Sequence, residues 1–115
     1  MSERSDKVRI IDMFNAAEKV AASLKDVSEE AFLADPDKRD AVVYRLQVIG
    51  EAAYKVSDQV KDAHPEVEWH RIQGLRHKIV HDYYALDDAT IHHIGKDYIP
   101  PLLDQLTRIL ANWRD

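Results

Sequence analysis

Apolar residues recur at intervals of three and four almost throughout the chain, the spacing of amphipathic helices. Val8, Ile11, Phe14, Ala17, Ala21, Leu24 and Val27 predict a first helix over about 5–26, and Ser28 to Leu33 reads as a turn or a short extra helix. A second helix is expected over about 36–62. Asp35 can cap it, and Pro36 suits the first helical position, where a missing N–H costs nothing. Its core stripe is Val42, Leu46, Ile49, Ala53, Val56 and Val60, and Pro65 closes the segment. Gly50 falls inside this helix, a cost that close packing of another helix against it would offset.

A third helical segment starts near Trp69 and continues to about Tyr84. Asp87 or Asp88 then caps a short helix through Tyr98, and Pro100 and Pro101 break or kink the chain before a last helix. That helix carries Leu102, Leu103, Leu106, Ile109, Leu110 and Trp113 on its apolar side. No strand alternation or internal repeat stands out. The expectation is an all-α antiparallel bundle of four to five helices, forming a single domain over 1–115. An apolar stripe on every helix also raises a homodimer seam, with Trp113 or Leu102-Leu103 as candidates. The alternative is that these residues close the monomer core.

A chain of 115 residues with 45% hydrophobic residues, three glycines, four prolines and no cysteine is neither collagen-like nor disulfide-stapled, and it can bury one core. Without cysteine there is no thiolate chemistry and no cysteine-type zinc site. The polar N-terminus has no apolar leader, and no apolar run reaches membrane-spanning length, so a cytoplasmic protein without membrane attachment is expected. The net charge of −5 argues against general nucleic-acid binding. Its distribution changes that picture: Trp69 to His81 holds no acid, while Arg71, Arg76 and Lys78 contribute three positive charges.

The densest chemistry lies in this island, in Arg76-His77-Lys78-Ile79-Val80-His81-Asp82-Tyr83-Tyr84. Arginine offers a permanent cation with a planar fork that fits phosphate, and histidine can move a proton near neutral pH. Metal-free cleavage of RNA needs both, a base for the 2′-hydroxyl and a cation for the phosphorane. Arg76 and His81 are the smallest pair that could supply them. On a regular helix, residues five apart diverge by about 140°. The pair would converge only through a distorted helix or a second copy of the chain. His77, His81 and Tyr84 share one stripe, and Arg76, Val80 and Tyr83 another.

Two other readings fit the same residues. A basic-aromatic helix can be an ordinary solvated face, with its tyrosines packing by their rings. His77 and His81 also have the i, i+4 spacing of helical zinc ligands, although Lys78, Ile79 and Val80 leave no HExxH glutamate between them. His92-His93 is adjacent rather than helically spaced, and His64 and His70 read as surface groups. Trp69 reads as a core anchor, and Glu51 as either an interior partner of Arg76 or Arg71 or a plain exposed acid.

Arg76-x4-His81, extended by Asp82-Tyr83, resembles the signature of the HEPN superfamily, and of HepT-like toxins in particular. Ile49-Gly50-Glu51-Ala52-Ala53 is similar to the second-helix segment of that family. Trp69-His70-Arg71-Ile72-Gln73-Gly74-Leu75-Arg76 resembles its tryptophan-to-arginine lead-in, and Ile99-Pro100-Pro101-Leu102 the start of its final helix. The resemblance spans about 5–113. It implies a HEPN-like all-α homodimer acting as a metal-independent endo- or exoribonuclease, with no cofactor, Arg76 and His81 in the site and His77 in support. It further implies a toxin whose antitoxin is a cognate minimal nucleotidyltransferase that transfers AMP to Tyr83. Such a modification would set a bulky anion against Arg76. One departure is His77, where the family often has asparagine. The alternative is a catalytically inactive HEPN module that dimerises and binds a nucleotidyltransferase.

Overall fold

The computed structural model describes residues 3–82 and 87–114. Among them there is no strand. Four long helices make the frame: α1 (Glu3–Leu24), α3 (Pro36–Lys55), α5 (Trp69–Asp82) and α7 (Ile99–Ala111). Three short ones, α2 (Glu29–Leu33), α4 (Asp58–Ala63) and α6 (Asp88–His93), fill the connections. The helix α3 packs against both α1 and α5, while α1 also packs against α7. Each of these pairs runs antiparallel. Asp6 meets Ser57 at one end of α1 and α3, and Lys38 Nζ donates to the Ser23 carbonyl at the other.

The buried face of α1 is Ile10, Met13, Ala17, Val20 and Leu24, with Asp6 at its head. This differs from the expected stripe: Val8 is 49% and Ile11 36% exposed. Apolar residues lie on two adjacent arcs of this helix, and contact with α3 and α7 selects the arc that begins with an acid. Asp6 is 3% exposed and accepts hydrogen bonds from Ser57 N–H and Ser57 Oγ, both at 2.8 Å. A buried carboxylate is tolerated only with such donors. α1 ends at Leu24, and Asp26 turns the chain with a φ of 60°, an ordinary left-handed helix stop.

The expected 36–62 helix is two helices. Val56 leaves α3 in extended conformation, and Ser57 caps α4 by accepting from Val60 N–H. Bonding to Asp6 needs the Ser57 N–H outside a helical ladder, and this explains the break. Asp35 caps α3 as expected, accepting from Lys38 N–H at 3.1 Å. Asp87 caps α6, but α6 ends at His93. A π turn, Ile94–Tyr98, then leads directly into α7, and the Ile99 N–H bonds to the Ile94 carbonyl. Pro100 and Pro101 therefore begin α7 instead of breaking the chain, because their missing N–H groups fall where the ladder is already widened.

Of the proposed seam residues, Leu102 is buried, and Leu103, Leu110 and Trp113 pack partly buried on the core. Within the single chain they pack against its own core. Among the described residues, the exposed large apolar side chains on the long helices are Val8, Ile11, Tyr44 and Tyr54, all on α1 and α3.

Candidate active site on the fifth helix

The helix α5 is tied down from its first residue. Trp69 is buried, and its indole N–H donates to the His64 carbonyl at 3.0 Å. Trp69, Ile72 and Ile79 form the core-facing stripe, all nearly inaccessible. Arg76 lies on this same stripe, four residues after Ile72 and three before Ile79. It can occupy a core position because Gly50 of α3 faces it. A Cβ on Gly50 would come within 2.7 Å of Arg76 Cβ, 3.0 Å of its backbone nitrogen and 3.1 Å of the Ile72 carbonyl. The mid-helix glycine is thus offset by close helix contact, as expected, and that contact is at the motif arginine itself.

From this seam the Arg76 side chain runs outward, 38% exposed, and its Nε donates to Glu51 Oε2. Its guanidinium lies 5.4 Å from the centroid of the Tyr54 ring. Glu51 also pairs with Lys55 at 3.5 Å. The hydrogen bond from Arg76 is the main reason the Glu51 carboxyl sits below its ordinary range; partial desolvation opposes it, and the charges of Arg76 and Lys55 add to it. Glu51 is the partner of Arg76, as one of its two readings had it, but it lies 40% exposed at the surface and not in the interior. Tyr54 went unnoticed in the sequence, yet it shares a helix face with Glu51 at i+3, a spacing that could have pointed to it. On the far side of Glu51 a groove of about 230 Å³ runs between α1 and α3, lined by Arg9, Asp12, Tyr44, Gln47 and Val48 among others. Arg9 Nε is buried there without a hydrogen-bond partner.

His77 and His81 lie on the outer side of α5, both exposed, with ring centroids 4.4 Å apart. Since α5 is regular from Trp69 to Asp82, Arg76 and His81 diverge by about 140° and one copy does not bring them together. Tyr83 and Tyr84 lie outside the described residues. Among the described residues, no group of three or more His, Asp or Glu side chains comes together to hold a metal. His93 pairs with Asp97 at 2.7 Å, and His92 Nε2 lies 2.8 Å from the Val27 carbonyl.

Near the start of α5, Arg71 lies 4.5 Å over the Tyr98 ring and pairs with Glu68 at 3.4 Å. Tyr98 donates its hydroxyl to Glu68. Burial first, and the neighbouring carboxylate second, push Tyr98 up to about 12, and the same hydrogen bond lowers Glu68. Two of the three cations of the basic island are thus balanced by acids just outside it. In chemical terms, the helix offers a phosphate-matching guanidinium on its inner edge and a pair of imidazoles on its outer face.

The family described as Ribonuclease HepT-like matches residues 13–109, a span that contains both Gly50 and the whole Arg76-x4-His81 segment. The chain belongs to this HepT-like family of the HEPN superfamily. A relative from Thermococcus cleftensis named "Probable ribonuclease HepT" is 29% identical over 93% of this chain and 97% of its own length. Two proteins named "Putative RNase" are also similar. The one from Caldanaerobacter subterraneus is 33% identical over 76% of this chain and 78% of its own. The other, from Methanocaldococcus jannaschii, is 26% identical over 97% of each. No solved structure matches. The HEPN-like all-α bundle expected from the sequence is the architecture observed. No helix among the described residues is long and apolar enough to cross a membrane.

Proposed function

We propose that this HepT-like protein is a metal-independent ribonuclease toxin in which Arg76 and His81 carry the chemistry. The observation that carries this reading is the setting of Arg76. A glycine clears a core position for it, and the guanidinium is then held at a surface seam instead of being lost in the interior. His81 takes the proton of a ribose 2′-hydroxyl, and the 2′-oxygen attacks the adjacent phosphorus. Arg76 stabilises the resulting phosphorane. A protonated imidazole, His77 or His81 of the same or a second copy, returns a proton to the departing 5′-oxygen. The products are a 2′,3′-cyclic phosphate and a 5′-hydroxyl.

The divergence of Arg76 and His81 on a regular helix supports a homodimeric site, with the arginine of one copy facing the histidine of the other. The exposed Val8, Ile11, Tyr44 and Tyr54, beside Arg9 with its unbonded Nε, offer a surface for that pairing in place of the Trp113 end. Tyr83 is the proposed AMP acceptor and a cognate minimal nucleotidyltransferase the proposed antitoxin; AMP on that tyrosine would compete with RNA for Arg76. A second reading, a silent binding module, draws on the Glu51–Arg76 ion pair and the net charge of −5. Expression of wild type, Arg76→Ala and His81→Ala in bacteria separates the two. Growth arrest with 2′,3′-cyclic-phosphate ends in the wild type alone is expected. Cleavage that persists in His81→Ala, or 3′-hydroxyl ends, overturns the mechanism; equal growth of all three favours the silent module.

A further inference from the structure

Gly74 stands in the middle of α5 on its exposed side, and apart from its chain neighbours and the backbone of its own helix nothing lies within 4 Å of where its Cβ would be. Unlike Gly50, it has no neighbour in the fold that requires a missing side chain. Glycine inside a helix is unfavourable, and one use that offsets the cost is close approach of another molecule to the backbone. The residues that surround a helical position on its surface lie three and four places away on either side. Around Gly74 these are His70, Arg71, His77 and Lys78, all exposed. Among the described residues no acid pairs with His70, His77 or Lys78, and Arg71 is held outstretched between the Tyr98 ring and Glu68.

We infer that this ring of basic side chains around a bare glycine is the track on which the phosphodiester backbone of a single-stranded RNA docks. This deepens the ribonuclease reading and rests on it. A phosphate can settle on the helix at Gly74 without meeting a Cβ, while cations and imidazole donors reach it from both sides. Arg71 to Lys78 spans about 10 Å of helix, enough to meet more than one phosphate of a strand. One turn beyond His77 the track arrives at His81, whose ring already lies against that of His77. Toward the other end it stops at His70 and Arg71, because the groove beyond them is also lined by Asp58, Asp62 and Glu68. A two-fold pairing of copies centred on Gly74 would bring the cations of both copies together, so the charge there favours a polyanion; the proposed seam reaches this face only at His81.

The test uses a fluorescein-labelled 2′-O-methyl RNA oligonucleotide, which cannot be cut by attack of a 2′-hydroxyl, so binding is measured apart from catalysis. Gly74→Leu should bind about tenfold more weakly while unfolding at or above the wild-type temperature, since leucine propagates a helix better than glycine and meets nothing there. Lys78→Gln should reduce the slope of log affinity against log salt by about 0.7, the loss of one contact to a single strand. Unchanged affinity in Gly74→Leu together with an unchanged salt slope in Lys78→Gln overturns the track, as does a wild type that does not bind at low salt. Sedimentation without oligonucleotide provides the other arm. If Gly74→Leu turns a dimer into a monomer, the face belongs to a second copy and the inference falls. Cleavage by the same proteins keeps the two readings apart. Tight, Gly74-dependent binding without any cleavage removes the ribonuclease and leaves the track; normal cleavage by Gly74→Leu, lost in Arg76→Ala, does the reverse.

Discussion

The inner and outer sides of α5 treat similar residues in opposite ways. On the inner side, Gly50 of the neighbouring helix touches Arg76 at the Cβ, and the guanidinium is already bonded to Glu51 and lies close to Tyr54. On the outer side, no other element of the fold would meet a Cβ on Gly74, and His77, Lys78 and His81 face solvent. Two mid-helix glycines thus serve different ends. One lets two helices come together so that a long cation can leave the core at a defined point. The other has no packing function within the chain. The lesson is that a positioned group and an available group are separate requirements, and a straight helix supplies them on different faces.

The largest effect expected from that division concerns who completes the site. Arg76→Ala and His81→Ala should each lower cleavage by about a hundredfold or more, the loss typical of removing one transition-state donor or base. Unfolding and refolding the two variants together should then restore about a quarter of wild-type activity. Half of the random pairs are mixed, and each holds one intact site of two. No recovery, measured by a cleavage assay on the mixture, would mean that both groups act from one copy and that the inner and outer faces are not divided between protomers.

Next in size is the contrast between the glycines. Gly50→Ala should destabilise the fold by about 1–3 kcal/mol, since the new methyl meets backbone of α5 as well as the Arg76 side chain. Gly74→Ala should stabilise it by up to about 1 kcal/mol, the ordinary difference in helix propensity. Denaturant unfolding of both variants measures this directly. Equal and same-signed shifts would erase the distinction between the two positions.

The smallest effect sharpens the inner face alone. Because Arg76 depresses the Glu51 carboxyl in the folded chain, Glu51 lends stability that is present above the ordinary glutamate range and disappears as pH falls through the lowered value. Both groups are partly exposed, so the contribution is below about 1 kcal/mol. Glu51→Gln should lower stability near neutrality by that amount and match the wild type below the lowered value, so that the acid limb of its stability curve is flatter. It should also release Arg76 and strengthen binding of the uncut oligonucleotide modestly. An unchanged acid limb would show that the pair does not act on stability.

Much of this could be read along the chain. Helix-period spacing, the Asp35-Pro36 start, the anchoring role of Trp69 and the close packing at Gly50 all follow from local chemistry, and each is found in the fold. The 140° separation of Arg76 and His81 follows from helix geometry alone. Other features had no local signal. Asp6 looks like an exposed acid, and Ser57 like a residue of an unbroken helix, until α1 and α3 bring them together. Val8 and Ile11 look like core until α3 and α7 cover the adjacent arc instead.

Sequence by itself therefore determined the helices, the family and the residues able to handle a phosphate, because propensity, capping and side-chain chemistry act over a few residues. Tertiary structure decided which apolar arc is buried, where one helix becomes two, that Arg76 lies beside Tyr54, and that Gly74 is left bare. Those outcomes depend on burial and on contacts between residues tens of positions apart, and no local pattern along the chain carries that information.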